Sequence, residues 1–114
     1  MADCLFCKIV DGAIPSKIVY ENDYVIAFKD INPATPVHVL VVPKVHIENL
    51  EALNDENLGI VMNIHSAILE VAKIMKVNSD GYRVIVNCGK NGGQTVPHLH
   101  YHVLGGIELN EKII

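Results

Sequence analysis

Two spacings of hydrophobic positions divide the chain. Up to Pro43, and again after Gly81, apolar residues gather in short, partly β-branched runs: Ile18 to Tyr20, Tyr24 to Phe28, Val37 to Val42, Tyr82 to Asn87 and Leu99 to Leu104. Runs of this length and type, bounded by turn formers, predict strands. Glu21-Asn22-Asp23 between the first two is a hairpin signal. Val37 to Val42, stopped by Pro43, is dense enough to predict a central strand covered on both faces. Between the strand regions the period changes. Leu58, Val61, Met62, Ile64, Ile68, Leu69, Val71, Ala72 and Met75 recur at three- and four-residue steps, which predicts an amphipathic helix. Asn54 or Asp55 caps its start, Glu56 suits the first turn, and Asn78-Ser79-Asp80-Gly81 ends it. At 1.5 Å per residue it spans about 30 Å, a whole sheet face. A short helix is expected near Ile47 to Leu53, and Asp30 to Pro36, with two prolines, reads as a loop. The expected fold is α+β: an antiparallel sheet of about five strands with one long and one short helix.

Composition narrows the function. With 114 residues the chain is one domain, 1-114, and a chain this size buries enough surface to fold without staples. Nine Lys+Arg against thirteen Asp+Glu give a formal net charge of -4, which argues against coating nucleic acid polymers or anionic membranes. Aromatics are 5% with no Trp, so base-stacking platforms are not expected. Three Cys cannot close a disulfide set and point to a reducing, cytoplasmic setting. There is no apolar run of about 20 residues to span a bilayer, and Met-Ala-Asp-Cys-Leu-Phe-Cys does not read as a secretion signal.

The chemistry concentrates in His98-Leu99-His100-Tyr101-His102. Alternation along a strand places His98, His100 and His102 on one face, about 6.6 Å apart along the strand. Each imidazole brings a polar nitrogen that burial must satisfy, so such a face suits metal ligation or nucleophilic and acid–base catalysis better than packing. Just upstream, Gly89-Lys90-Asn91-Gly92-Gly93-Gln94-Thr95 is a glycine-rich turn whose N–H groups suit an anion, although it lacks Walker spacing. Cys4-Leu5-Phe6-Cys7 is a C-x-x-C, open at this point between zinc, redox chemistry and free thiols. Cys88 is expected to be a buried small residue, and His65 a surface or boundary residue of the long helix.

The stretch from His98 to Leu104 resembles the His-φ-His-φ-His-φ-φ signature of the histidine triad (HIT) superfamily, and Gly92 to Val96 with Leu104-Gly105-Gly106 resembles its nucleotide-binding branch. The likeness continues through Ile14 to Glu21, Ala27 to Ile31, Pro36 to His38 and Val42 to Ile47. The resemblance implies a HIT-like homodimer that hydrolyses purine nucleoside 5'-phosphoramidates through a covalent nucleotidyl-histidine. Carried over by position, His100 is the nucleophile, His102 binds phosphate and passes a proton to the leaving amine, and His98 and His38 complete the catalytic set. Asp30 accepts the ribose hydroxyls. Phe28, Ile31, Ile9 and Ile14 form the base slot, and Asn87, Gly93, Gln94 and Thr95 surround the phosphate. For Asp30, a purely turn-initiating role is the competing expectation. His102, where the nucleotidyl transferase branch has Gln, favours water as acceptor. The resemblance also implies a closed, structural zinc site of Cys4, Cys7, His46 and His98. Pro97, where an aromatic often stands, and a C-terminal tail without an aromatic depart from the pattern and leave leaving-group preference open. Two rival functions remain at this stage. One is a zinc hydrolase using all three triad histidines. The other is a nucleotide-binding module whose output is a protein contact.

Overall fold

The computed structural model describes residues 4–113, so Met1 to Asp3 and Ile114 lie outside the described residues. The elements in chain order are helix α1 (Leu5–Val10), strands β1 (Ile18–Glu21), β2 (Val25–Lys29) and β3 (Val37–Pro43), a 3-10 turn (Leu50–Ala52), helix α2 (Ile60–Ile74), and strands β4 (Arg83–Val86) and β5 (Tyr101–Gly105). The five strands form one antiparallel sheet in the order β1-β2-β3-β5-β4. β3 is central, and six of its seven residues are buried. The α+β architecture read from the pattern is the architecture found. Among the described residues, no helix is long and apolar enough to cross a membrane.

Strand alternation sorts the core into two compartments. Val25, Ala27, Val39, Val41, Leu99, Tyr101 and Val103 pack against Ile64, Ala67, Ile68 and Val71 of α2. The intervening residues Ile26, Phe28, Leu40 and Val42 point the other way, against Cys4, Phe6 and Ile9. His38, His100 and His102 share the parity of this second set. One sheet face is therefore a packed core and the other holds the polar chemistry.

β2 and β4 shift by a residue at their ends, and three differences from the sequence reading are larger. α2 starts at Ile60 because residues 55–59 form an irregular turn. Asn54 does cap, but it caps that turn, with its Oδ1 accepting from the N–H groups of Glu56 (2.9 Å) and Asn57 (3.1 Å). The short helix expected at Ile47 to Leu53 is only the 3-10 turn, capped by Asn49, and the extra α-helix is α1. β5 begins at Tyr101, not Leu99. Pro97 lacks an N–H, and His98 N–H bonds back to the Val96 carbonyl at 2.8 Å, so His98 lies in a bend ahead of the ladder.

Candidate active site

That bend separates the three histidines into different surroundings. His98 is fully buried, and its ring meets the His46 ring at 4.9 Å. Its Nε2–H donates to the Pro43 carbonyl at 2.9 Å, which leaves Nδ1 as a lone pair. Nδ1 lies 3.2 Å from Cys4 Sγ and 3.6 Å from Cys7 Sγ, and His46 Nδ1 lies 3.3 Å from Cys7 Sγ. The four ligand atoms fall within 4.8 Å of one another. Burial, then the neighbouring Cys4, pushes the Cys7 thiol up to about 11, so the two sulfurs need a cation before both can ionise. Two soft sulfurs and two imidazoles with lone pairs in a closed cluster fit zinc. The group stands apart from the cleft described next, and the expected catalytic use of the His98 side chain is not what its position offers. It contributes to the site through its main chain instead.

His100 follows that main chain into the second compartment. Its Nδ1–H donates to the His98 carbonyl at 2.7 Å, so the neutral ring carries its lone pair on Nε2. Burial pushes its pKa below the ordinary imidazole value, against the opposing pull of the His98 carbonyl and the Asp30 carboxylate. Phe6 packs edge-on against this ring at 5.0 Å and against His98 at 5.9 Å. A hydrogen-bonded series of histidines begins at Ala34, whose N–H donates to His38 Nδ1 at 2.9 Å. The His38 proton therefore sits on Nε2, which donates to His102 Nδ1 at 2.9 Å. By the same logic His102 carries its own proton on Nε2. That atom is buried and has no hydrogen-bond partner among the described residues, an arrangement that costs free energy unless a ligand accepts the bond. Burial, followed by the fields of His100 and His38, pushes the His102 pKa down to about 4.

His100 and His102 open into a cleft of about 390 Å³ whose wall includes Ile9, Ile14, Phe28, Asp30, Ile31 and Thr95. All of these are among the residues that the family resemblance implies for the nucleotide. Ile31 is 92% exposed, an apolar side chain held at the cleft lip without a packing partner of its own. Asp30 does serve as the turn former, accepting the Asn32 N–H at 2.8 Å, and it also lines the cleft. Asn87, Gly93 and Gln94 do not line it. The Gln94 side chain is occupied as a loop clamp: its Oε1 accepts from Gly89 N–H, while its Nε2 donates to the Glu48 and Val96 carbonyls. Cys88 is half-buried rather than buried. His65 is exposed, with its ring edge-on to Tyr101 at 5.7 Å.

Some of the wall was not anticipated. Leu5, Phe6, Pro15, Ser16, Leu40 and Val96 also line the cleft. Leu5, Phe6 and Ile9 arrive there on α1, whose start is capped by Cys4 Sγ accepting the Cys7 N–H at 3.3 Å. The apolar spacing Leu5, Phe6, Ile9, Val10 was the available signal for that helix.

Residues 11–109 match the model of the HIT domain family. An uncharacterised HIT-like protein of Buchnera aphidicola (subsp. Baizongia pistaciae) is 44% identical over 111 residues, covering 97% of this chain and 99% of that protein. The protein HitA of Neisseria gonorrhoeae is 42% identical over 92% of this chain and 97% of its own length. Among solved structures, a HIT family hydrolase from Clostridium thermocellum superimposes with a TM-score of 0.98 at 51% identity, covering 100% of this chain and 99% of that one. A histidine triad protein from Clostridium difficile gives 0.95 at 50% identity, covering 98% and 97%. With matching sequence, fold and triad, this chain is a member of the HIT family.

Proposed function

We propose that the protein is a nucleotide-binding phosphoramidase, hydrolysing purine nucleoside 5'-phosphoramidates or related nucleotidyl conjugates. The observation that carries this reading is the pairing, in one cleft, of a free lone pair on His100 Nε2 with the unpartnered N–H of His102. A nucleophile beside an orphan donor suits a phosphoryl group, whose phosphorus takes the lone pair while an oxygen takes the hydrogen bond. The apolar wall of Ile9, Ile14, Phe28 and Ile31 suits a base, and the Asp30 carboxylate suits ribose hydroxyls. Thr95 adds a hydroxyl at the phosphate end. That a structural relative is called a HIT family hydrolase agrees with the reaction class.

In the first half-reaction His100 Nε2 attacks the α-phosphorus and the phosphorus–nitrogen bond breaks. The amine departs with a proton supplied by solvent, while His102 stays neutral and its Nε2–H holds a phosphoryl oxygen. Water then attacks the phosphorus and gives a proton to solvent, and the bond to His100 Nε2 breaks to release a nucleoside monophosphate. Zinc bound by Cys4, Cys7, His46 and His98 supplies a cross-link between α1 and the loops carrying His46 and His98, and no part of the chemistry. This division opposes the zinc-hydrolase reading, which needs all three triad rings on one metal, whereas His98 is committed elsewhere. The free thiols suit a reducing cytoplasm.

The test is turnover of adenosine 5'-phosphoramidate followed across pH. Only the neutral His102 ring can accept from His38 and donate from Nε2. Because its pKa is pushed down to about 4, kcat stays level as pH falls from 7 to 5 and declines only toward 4. No release of adenosine monophosphate, or an acid limb at the ordinary imidazole pKa of about 6.5, contradicts the reading. Circular dichroism is recorded alongside. The unfolded chain takes up protons below pH 6.5 that the buried rings refuse, so folding stability also declines as pH falls through that window.

The same reading includes a homodimer. On α2 and the turn before it, Met62 is 78% exposed, Leu69 58% and Leu58 51%, and β4 leaves one sheet edge unpaired. Sedimentation at twice the 12.5 kDa chain mass is expected, with Met62→Glu shifting the protein to monomer. Sedimentation as a monomer at micromolar concentration opposes it.

A further inference from the structure

Thr95 borders the cleft, yet packing does little to hold it. It is exposed, with the cleft on one side and an open groove lined by Glu48, Asn49, Lys90 and Pro97 on the other. Among the described residues, neither its N–H nor its hydroxyl has a hydrogen-bond partner in the chain. Its neighbours set its position instead. Gln94, the preceding residue, spends every polar atom of its side chain. Oε1 accepts the Gly89 N–H at 2.9 Å, and Nε2 donates to the Glu48 carbonyl at 2.8 Å and the Val96 carbonyl at 2.9 Å. An N–H can only donate and a carbonyl can only accept, so these partners also fix which way the amide faces. The bond from Gln94 to Val96 closes a ring around Thr95.

That ring has a firm anchor. Glu48 follows Ile47, which is buried in the main core, and the Ile47 carbonyl accepts the Leu99 N–H at 2.6 Å. Leu99 in turn precedes His100. One strap of main chain, Ile47-Glu48, thus grips the segment carrying the nucleophile through one carbonyl and the Thr95 loop through the next. We propose that Gln94 is a positioning residue for the chemical step: acting through Thr95, it holds the hydroxyl against the phosphoryl group at a set distance from His100. The proposal rests on the nucleotide reading above and deepens it. Charge builds on the phosphoryl oxygens as the bond to His100 Nε2 forms, so an aimed hydroxyl counts for more in the transition state than in the bound substrate. Loss of aim therefore lowers kcat and leaves KM nearly alone. Glutamine suits the task because it offers one acceptor and two donors on one short stem.

The test is a double-mutant cycle on adenosine 5'-phosphoramidate, with kcat and KM measured separately and the folded state checked by circular dichroism. Gln94→Met keeps the length and removes all three bonds, and Thr95→Val keeps the shape and removes the hydroxyl. Each lowers kcat about tenfold, the scale of one misaligned hydrogen bond, with KM within about twofold of the wild type. Because both changes abolish the same contact, the double variant matches Thr95→Val within about twofold, whereas independent effects multiply to about a hundredfold. Gln94→Glu keeps the acceptor for Gly89 but loses both donors, and its kcat falls at least as far as that of Gln94→Met. An undiminished kcat in Gln94→Met, Thr95→Val or Gln94→Glu overturns the proposal, and so does multiplication of the two losses in the double variant. Failure of the wild type to turn over the substrate is a different result, and it overturns the nucleotide reading itself.

Discussion

His100→Ala lowers turnover of a nucleoside phosphoramidate by at least about 10⁴-fold, the scale seen when a nucleophile is removed from a site whose residues act as a unit. Binding of adenosine monophosphate, followed by calorimetry, changes by no more than about threefold. The asymmetry follows from what the ring does. Nδ1–H is tied to the His98 carbonyl at 2.7 Å, which fixes the tautomer and aims the lone pair on Nε2. Alanine deletes the ring that the proposed reaction bonds to phosphorus, while the apolar wall, Asp30 and the His102 donor all remain. If the variant retains a tenth of wild-type turnover, the bond-forming role belongs to another group. If it loses nucleotide affinity in proportion to rate, His100 is a binding residue.

Removing the proposed zinc ligands is expected to act on folding and to spare chemistry. Cys4 and Cys7 sit at the start of α1, while His46 lies just after β3 and His98 just before β5. A cation joining them ties the helix that forms one wall of the cleft to the loop that carries the triad. A ligand present a thousandfold above its Kd contributes about 4 kcal/mol to stability. At about 4 °C per kcal/mol for a domain of this size, Cys7→Ser or prolonged chelation lowers Tm by about 15 °C. Well below the new Tm, kcat stays within about threefold of the wild type, because the nucleophile and its tautomer-setting carbonyl do not pass through the metal. Immediate loss of activity on chelation, with Tm unchanged, would mean that the metal takes part in the reaction. An equal Tm with and without zinc would mean that the cluster holds no structural ion.

The parity of residues along the chain was legible, and their exact path was not. Val37 to Pro43 reads as a central strand because both its faces are apolar, and alternation correctly puts His100 and His102 opposite Tyr101 and Val103. Alternation could not say where the ladder begins. Pro97 and the return bond from His98 to Val96 delay it, and that delay sends the His98 ring to the cysteines. α1 has six residues, too few for a periodicity to stand out beside a C-x-x-C motif. The role of Gln94 was hidden for another reason. Its three partners include Glu48, a contact 46 residues away that no local pattern contains. For Asp30 the sequence posed a choice between turn former and ribose ligand, but one carboxylate has two oxygens and both roles are compatible. The hydrogen-bonded order Ala34, His38, His102 likewise joins β3 to β5 and becomes visible only with the register His38↔Leu104, Leu40↔His102.

The claim on which the account rests is that one imidazole nitrogen becomes the temporary carrier of the nucleotidyl group. Intact-protein mass spectrometry of enzyme quenched within milliseconds of mixing with adenosine phosphoramidate reads this directly. The account predicts a species heavier by one adenylyl group, with the modification localised to His100 and absent from His100→Ala. Product formation through many turnovers with no adduct at any quench time, or an adduct on a residue other than His100, contradicts it.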